Sequence, residues 1–361
     1  MISLSRRISL WWKRFLERWL LGRPFGQLYS VLGGHIFFQS LNAAVRLDLF
    51  SILNREPGMT RQQVAARLKL QEKPVRILLL SCVSTGLLKK KGDGYFVTPL
   101  SRELLTRESP RNIESIIYWQ DEINYRALQH FHEAIVANTN TGLSEFKGTE
   151  PTLYERLVHQ PHLEKIFQDA MKAISVQANY LLSEYLDFSR FKHLVDVGGG
   201  NGTNVIALAK KNPGLKASVF DSPTVCELAR ANFKNAGLES RLSAVPGNCF
   251  VDAFPQGMDA FLFCHFMTIW SEERNTILLK KAYDALPSGG AAIIFNMMQR
   301  DDETGPPSAA MGSPYFLTLA TGEGMLYTWS EYEKFMRDAG FARIERHVLV
   351  RDHGVIVGYK A

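Results

Sequence analysis

The chain has 361 residues, 46% hydrophobic and 22% charged, the balance of a soluble globular protein with apolar surface enough for two domains, or one domain and a helical extension. That composition excludes disordered, collagen-like and disulfide-stapled chains. The net charge is +6, but residues 1–25 hold six basic side chains against Glu17 alone, so the remainder is almost neutral and a protein-wide basic surface for nucleic acid is not expected.

In chain order, Ile8, Trp12, Phe15, Leu16 and Trp19 recur at helical spacing, with Lys13, Arg14, Glu17 and Arg18 on the other faces. The pattern predicts a basic amphipathic helix over residues 1–25, ended by Gly22 and Pro24. Charges interrupt its apolar run, so it is neither a secretory signal nor one of the ~18-residue apolar stretches that cross a bilayer. Packing on a partner subunit or on its own domain is favoured over contact with a membrane surface, because three tryptophans are costly to expose.

Residues 28–53 read as a second apolar helix and Pro57-Gly58 as a turn. Thr60 with Gln63 three residues on is a capping box. A helix from Lys73 to Thr85 stops at Gly86, and two short strands flank Gly92-Asp93-Gly94. Helix, helix and a two-stranded wing form a winged-helix pattern over residues 26–108. Its third helix, rich in Ile, Leu and Val, is too apolar to face a DNA groove, so a dimerisation domain is expected. Residues 109–188 read as helical, with Tyr118, Trp119, Phe167 and Met171 as candidates to line a substrate pocket. His130 and His132, two apart, face different ways on a helix, and no metal site is expected. Cys82, Cys226, Cys249 and Cys264 match no zinc or disulfide spacing and read as reduced thiols of a cytoplasmic protein.

From residue 189 onward, strand-like runs alternate with helices: His193–Val197, Ala217–Phe220, Leu242–Val245, Ala260–Cys264, Ala291–Phe295 and Val355–Tyr359. This α/β alternation predicts a doubly wound, mostly parallel, Rossmann-like sheet. The strand ending in Asp196-Val197 runs into Gly198-Gly199-Gly200-Asn201-Gly202 and then a helix, while Asp221 ends the next strand, where a carboxylate can grip ribose hydroxyls. The glycine spacing misses the dinucleotide fingerprint, and the acidic Asp196 before it suits an S-adenosylmethionine (SAM) loop better.

These segments, with Phe220-Asp221-Ser222-Pro223, Pro246-Gly247-Asn248-Cys249-Phe250 and Trp270-Ser271-Glu272-Glu273, resemble class I SAM-dependent O-methyltransferases of the caffeic acid/hydroxyindole type over residues 30–361. The resemblance implies a homodimer acting on a small, natural-product-like molecule. It implies that Asp196, Gly198, Gly200, Asp221, Ser222, Asn248, Cys249, Phe250 and Cys264 serve SAM, Asn248 standing where the family has an Asp. The family's general-base His falls on Thr268 and the Asp after it on Ile269, while two further carboxylates fall on Asn296 and Leu326. A Thr hydroxyl is no base near neutral pH, which leaves His265 or Tyr315 as candidate bases. It also leaves open an acceptor that needs no strong base, or a use of SAM without methyl transfer, by cyclisation or pericyclase-like catalysis.

Overall fold

The computed structural model describes residues 4–16 and 22–361. The chain divides into two units, Met1–Ile117 and Tyr118–Ala361. In the first, the Leu4–Leu16 helix exposes Ile8, Trp11, Trp12 and Phe15. Trp19 lies outside the described residues. Gly22 and Pro24 do not end a helix. They open the next one, Gly22–Leu32, because proline in a first turn gives up an N–H that would have no partner there anyway. The single helix expected over 28–53 is broken twice, at Gly33 and at Asp48, whose φ of +53° is left-handed. Among the described residues no single helix is long and apolar enough to cross a membrane.

The capping box at Thr60 is complete. Its N–H donates to Gln63 Oε1 at 2.8 Å, and the Gln63 N–H donates back to Thr60 Oγ1 at 3.3 Å. After the Glu72–Ser84 helix, strands β2 (Leu88–Lys91) and β3 (Gly94–Val97) form the wing. β1 (Met59–Thr60) adds to it, giving the antiparallel order β1-β3-β2.

The second unit holds a seven-stranded sheet of order β6-β5-β4-β7-β8-β10-β9. Its strands are β4 (His193–Val197), β5 (Lys216–Asp221), β6 (Leu242–Pro246), β7 (Ala260–Cys264), β8 (Ala291–Met297), β9 (Arg343–Val348) and β10 (His353–Tyr359). All pairings are parallel except those of β10, which runs antiparallel to β8 and β9. Helices cover both faces. Leu194, Val219, Leu262, Ile293 and Val357 are buried in one layer, and Val195, Phe220, Phe261, Ile294 and Ile356 in the other. Burial on both faces is why these strands read as unbroken apolar runs. The chain goes from β4 outward to β6 and then returns to β7 on the other side of β4. The switch point therefore lies between the carboxyl ends of β4 and β7, where ligands bind in open α/β sheets. Residues 118–188 form helices in the same unit as the sheet, including the 25-residue Pro161–Tyr185 helix.

Candidate active site

The glycine turn after β4 is a strained backbone that only glycine relaxes. Gly198, Gly200 and Gly202 have φ of +69°, +59° and +81°. A Cβ on Gly198 would lie 2.2 Å from the Phe266 ring, so the turn and the loop after β7 touch at the switch point. A Cβ on Gly199 would lie 2.9 Å from the Asp196 carboxylate beneath it. Gly200 donates its N–H to Asp221 Oδ2 at 3.0 Å, and Ser222 N–H meets Asp221 Oδ1 at 2.7 Å. Burial raises the Asp221 pKa in spite of those bonds.

Asp196 is completely buried. Asn204 Nδ2 donates to its Oδ2 at 3.2 Å, while its Oδ1 has no hydrogen-bond partner among the described residues. Desolvation pushes the Asp196 carboxyl up to about 8. Cys264 sits beside it, its thiol pushed well up by burial and by the Asp196 charge. Gly247 N–H bonds the Asp221 carbonyl at 2.9 Å, which brings Asn248, Cys249 and Phe250 to the same strand ends. Asn248 is exposed; its Oδ1 accepts the Phe250 N–H at 2.9 Å and keeps one lone pair, and its amide nitrogen is free to donate to a ligand. Burial pushes the half-buried Cys249 thiol up to about 11. Phe250 meets the Trp270 ring edge-on at 4.7 Å, and the Arg274 guanidinium lies over Phe250 at the same distance.

These groups fit SAM. A buried carboxylate oxygen left without a partner costs about 1–3 kcal/mol, and the ammonium of an amino acid offsets that cost. A second carboxylate, held at the end of the neighbouring strand by two backbone N–H groups, retains lone pairs for hydroxyl donors.

The loop after β7 differs. His265 has a φ of +53° and packs its ring against Phe295 and His353, with centroids 5.1 and 5.3 Å away. Burial, then His353, lowers its pKa to about 3. Burial thus favours the neutral ring at this position. Thr268 is 1% exposed on the short Met267–Ile269 turn. A Cβ on Gly324 would lie 2.0 Å from the Thr268 carbonyl, so residues 321–324 close over that turn, and Thr321 Oγ1 donates to the Ile269 carbonyl. Asn296 Nδ2 donates to the Tyr332 hydroxyl at 3.0 Å, and Leu326 is buried. Tyr315 is buried and meets Trp119 edge to face at 5.3 Å. Burial raises its pKa well up, so it too stays protonated.

Of the candidate pocket residues, Trp119 lies beside Tyr315, and Phe167 meets Tyr154 edge-on at 5.7 Å. Tyr118 and Met171 are half-buried. Sequence reasoning missed Asn204, Phe266, Arg274 and Tyr154, and gave Trp270, part of a family motif, no place in the site. Only Asn204 left a signal, an amide two positions inside a helix that follows a glycine turn.

A doubly wound sheet with a glycine turn at its switch point, one carboxylate beneath the turn and a second at the end of the neighbouring strand is the arrangement of a SAM-dependent methyltransferase site. The chain belongs to that class's O-methyltransferase family: residues 127–342 match the O-methyltransferase domain, and residues 29–107 the O-methyltransferase dimerisation domain, which supports homodimer formation. It is 39% identical to an L-tyrosine C(3)-methyltransferase of Streptomyces lavendulae over 311 residues, 86% of this chain and 85% of that protein. It is 27% identical to human acetylserotonin O-methyltransferase over 331 residues, 89% and 94% of the two chains. Among solved structures, the SAM-dependent methyltransferase SibL in its apo form has a TM-score of 0.82 at 36% identity, covering 92% of this chain and 98% of that one. The human acetylserotonin enzyme, solved in complex with SAM, shares the fold at a TM-score of 0.83 and 24% identity, covering 94% and 98%.

Proposed function

We propose that the chain, as a homodimer, methylates a small phenolic molecule at a ring carbon ortho to the hydroxyl. One observation carries this reading: the positions that hold the family's acid/base set are a buried Thr268, Ile269, an Asn296 tied to Tyr332, and a buried Leu326. None of these takes a proton near neutral pH, and His265 and Tyr315 do not replace them. An acceptor whose hydroxyl gives its proton to water as it binds needs no such base, because position and orientation then supply the rate. The L-tyrosine C(3)-methyltransferase relative points to the same class of acceptor.

In this reading Gly198 and Gly200 let the backbone approach the methionine portion of SAM, with Asp196 toward its ammonium and Cys264 packed beside Asp196. Asp221, steadied by Ser222, takes the ribose hydroxyls. Asn248 offers its amide nitrogen at the adenine edge, with Cys249 and Phe250 alongside. Tyr118, Trp119, Phe167, Met171 and Tyr315 wall the acceptor, and Thr268 and Asn296 fill the place of a base without acting as one. Bound SAM supplies a methyl group on a positively charged sulfur; the ring carbon takes that methyl, its own proton goes to water, and S-adenosylhomocysteine remains.

The test is to incubate the protein with SAM carrying a ¹³C methyl group, with and without L-tyrosine or simpler phenols. The expected outcome is S-adenosylhomocysteine together with a ring-methylated phenol. An O-methyl ether as the product, or methylthioadenosine released without an acceptor, overturns the reading.

A further inference from the structure

Two π-helical turns stand out in the second unit. Gln120–Asn124 follows Trp119 directly, and Phe316–Ala320 follows Tyr315 directly. A π turn is rare, and it is retained mostly where it re-aims side chains at functional sites. Here the two residues that precede the turns bring their rings together at 5.3 Å. Gly142 packs against the second turn and just past the end of the first: a Cβ there would lie 2.6 Å from the Ala127 carbonyl and 2.9 Å from the Thr318 side chain.

The two turns, with the residues before them, hold four buried polar atoms whose hydrogen bonding the described residues leave incomplete. They are Trp119 Nε1 and Asn124 Oδ1 in the first, and the Tyr315 hydroxyl and Thr318 Oγ1 in the second. All four residues are more than nine-tenths buried. Tyr154 joins this group, its hydroxyl within hydrogen-bonding reach of the Tyr315 hydroxyl, which donates toward it. Burial pushes the Tyr154 hydroxyl up to about 12 and the Tyr315 hydroxyl higher, so both keep their protons and act as donors. An indole N–H and two phenol O–H groups set among aromatic rings are matched to an oxygen that accepts hydrogen bonds and is carried on a flat ring.

Resting on the reading above, we propose that Tyr154 and Tyr315, with Trp119 Nε1, hold the phenolic oxygen of the acceptor as its anion. They thereby select rings that bear a hydroxyl, and the anion so held is electron-rich at its ortho and para carbons. The phenol proton leaves to water as the anion binds, and no residue of the chain has to take it.

The experiment uses 4-nitrophenol, whose ionised form absorbs visibly, titrated into the full chain saturated with S-adenosylhomocysteine. Donors favour the anion, so the ionisation midpoint of the bound probe is expected to be lower in the wild type than in Tyr315→Phe by about 1 pH unit. Tyr154→Phe shifts it the same way by less. Both variants lose the wild-type preference for 4-nitrophenol over nitrobenzene, expected at about tenfold or more. Trp119→Phe is a third arm should a tyrosine variant fail to fold, and melting curves report on folding. The proposal is overturned if the wild type does not bind the probe, or if folded variants leave both the midpoint and the preference unchanged. Failure to methylate any phenol, with these shifts intact, overturns the reaction and leaves the donor cradle standing.

Discussion

The carboxyl ends of β4 and β5 and the loop after β7 touch, yet they have opposite characters. The first region fits the cofactor role proposed for it: three left-handed glycines, a buried carboxylate with an unused oxygen, and a second carboxylate held by two N–H bonds. The second has a hydroxyl, apolar or amide residue wherever an acid/base set would stand, and burial holds its histidine neutral. The difference teaches that holding SAM and preparing the acceptor are separable tasks. One makes strict demands on backbone geometry, and the other yields to the acceptor's own acidity.

The sharpest way to break the first region is Gly198→Ala. The new Cβ meets the Phe266 ring, and φ is +69°, a conformation that costs a residue with a side chain about 1–2 kcal/mol. SAM affinity is expected to fall more than about 100-fold, with a destabilisation of about 1–3 kcal/mol. Calorimetric titration checks this; an alanine variant that binds within threefold of wild type would sink the assignment of the turn.

Next in size is Asp196→Asn, which should act in opposite directions on stability and binding. The folded-state pKa of about 8 lies above the ordinary carboxylate value. The folded state therefore favours the protonated form, and stability is lost as pH rises from about 4 through 8. A neutral amide escapes that loss, so without SAM the variant should melt higher than wild type at pH 7.5. It also lacks the charge opposite the ammonium, and SAM affinity should fall by about 10- to 100-fold. Thermal shift with and without SAM reads both signs. A lower melting point without SAM, together with unchanged affinity, contradicts the role.

Thr268→His asks whether the second region can be turned back into an acid/base site. The position is 1% exposed, so a ring overpacks it at about 1–3 kcal/mol. No carboxylate is placed to orient the imidazole, since Ile269, Asn296 and Leu326 stand at the family's acidic positions. The variant should melt lower and gain no O-methylation. The appearance of an O-methyl product by mass spectrometry would show that the missing histidine alone defines the chemistry.

The same contrast explains what could be read from the residues. β4 and β7 were legible to their end residues because both of their faces are covered and, past the exposed His193 that opens β4, every position is apolar or an acid. β9, Arg343–Val348, escaped notice because it is an edge strand whose charged side chains face water. The glycine turn was legible because its conformation demands a residue type. The π turns were not, since Gln120–Asn124 and Phe316–Ala320 have ordinary helical composition. Tyr154 was invisible for a related reason: its value lies in what surrounds its hydroxyl, and neither local pattern nor spacing records that.

The smallest effect on turnover should come from the residue that most resembles a catalyst. His265 sits at the end of the strand that faces the glycine turn, and imidazole is the commonest biological base. Its backbone is left-handed, so asparagine, which tolerates that conformation, is a milder replacement than alanine. If His265 is a packed neutral ring, His265→Asn should leave kcat within about threefold at pH 7.5, far short of the loss expected when a general base is removed. The signature should appear instead in acid stability. The unfolded imidazole takes a proton near 6.5, whereas the folded one resists protonation down to about 3. Wild-type stability is therefore expected to fall with decreasing pH below about 6.5, by up to about 1.4 kcal/mol per pH unit from this residue, and the variant should lack that share of the slope. Urea unfolding from pH 7.5 down to pH 4 measures it. A large loss of kcat with an unchanged acid slope would restore His265 as the base and erase the contrast between the two regions.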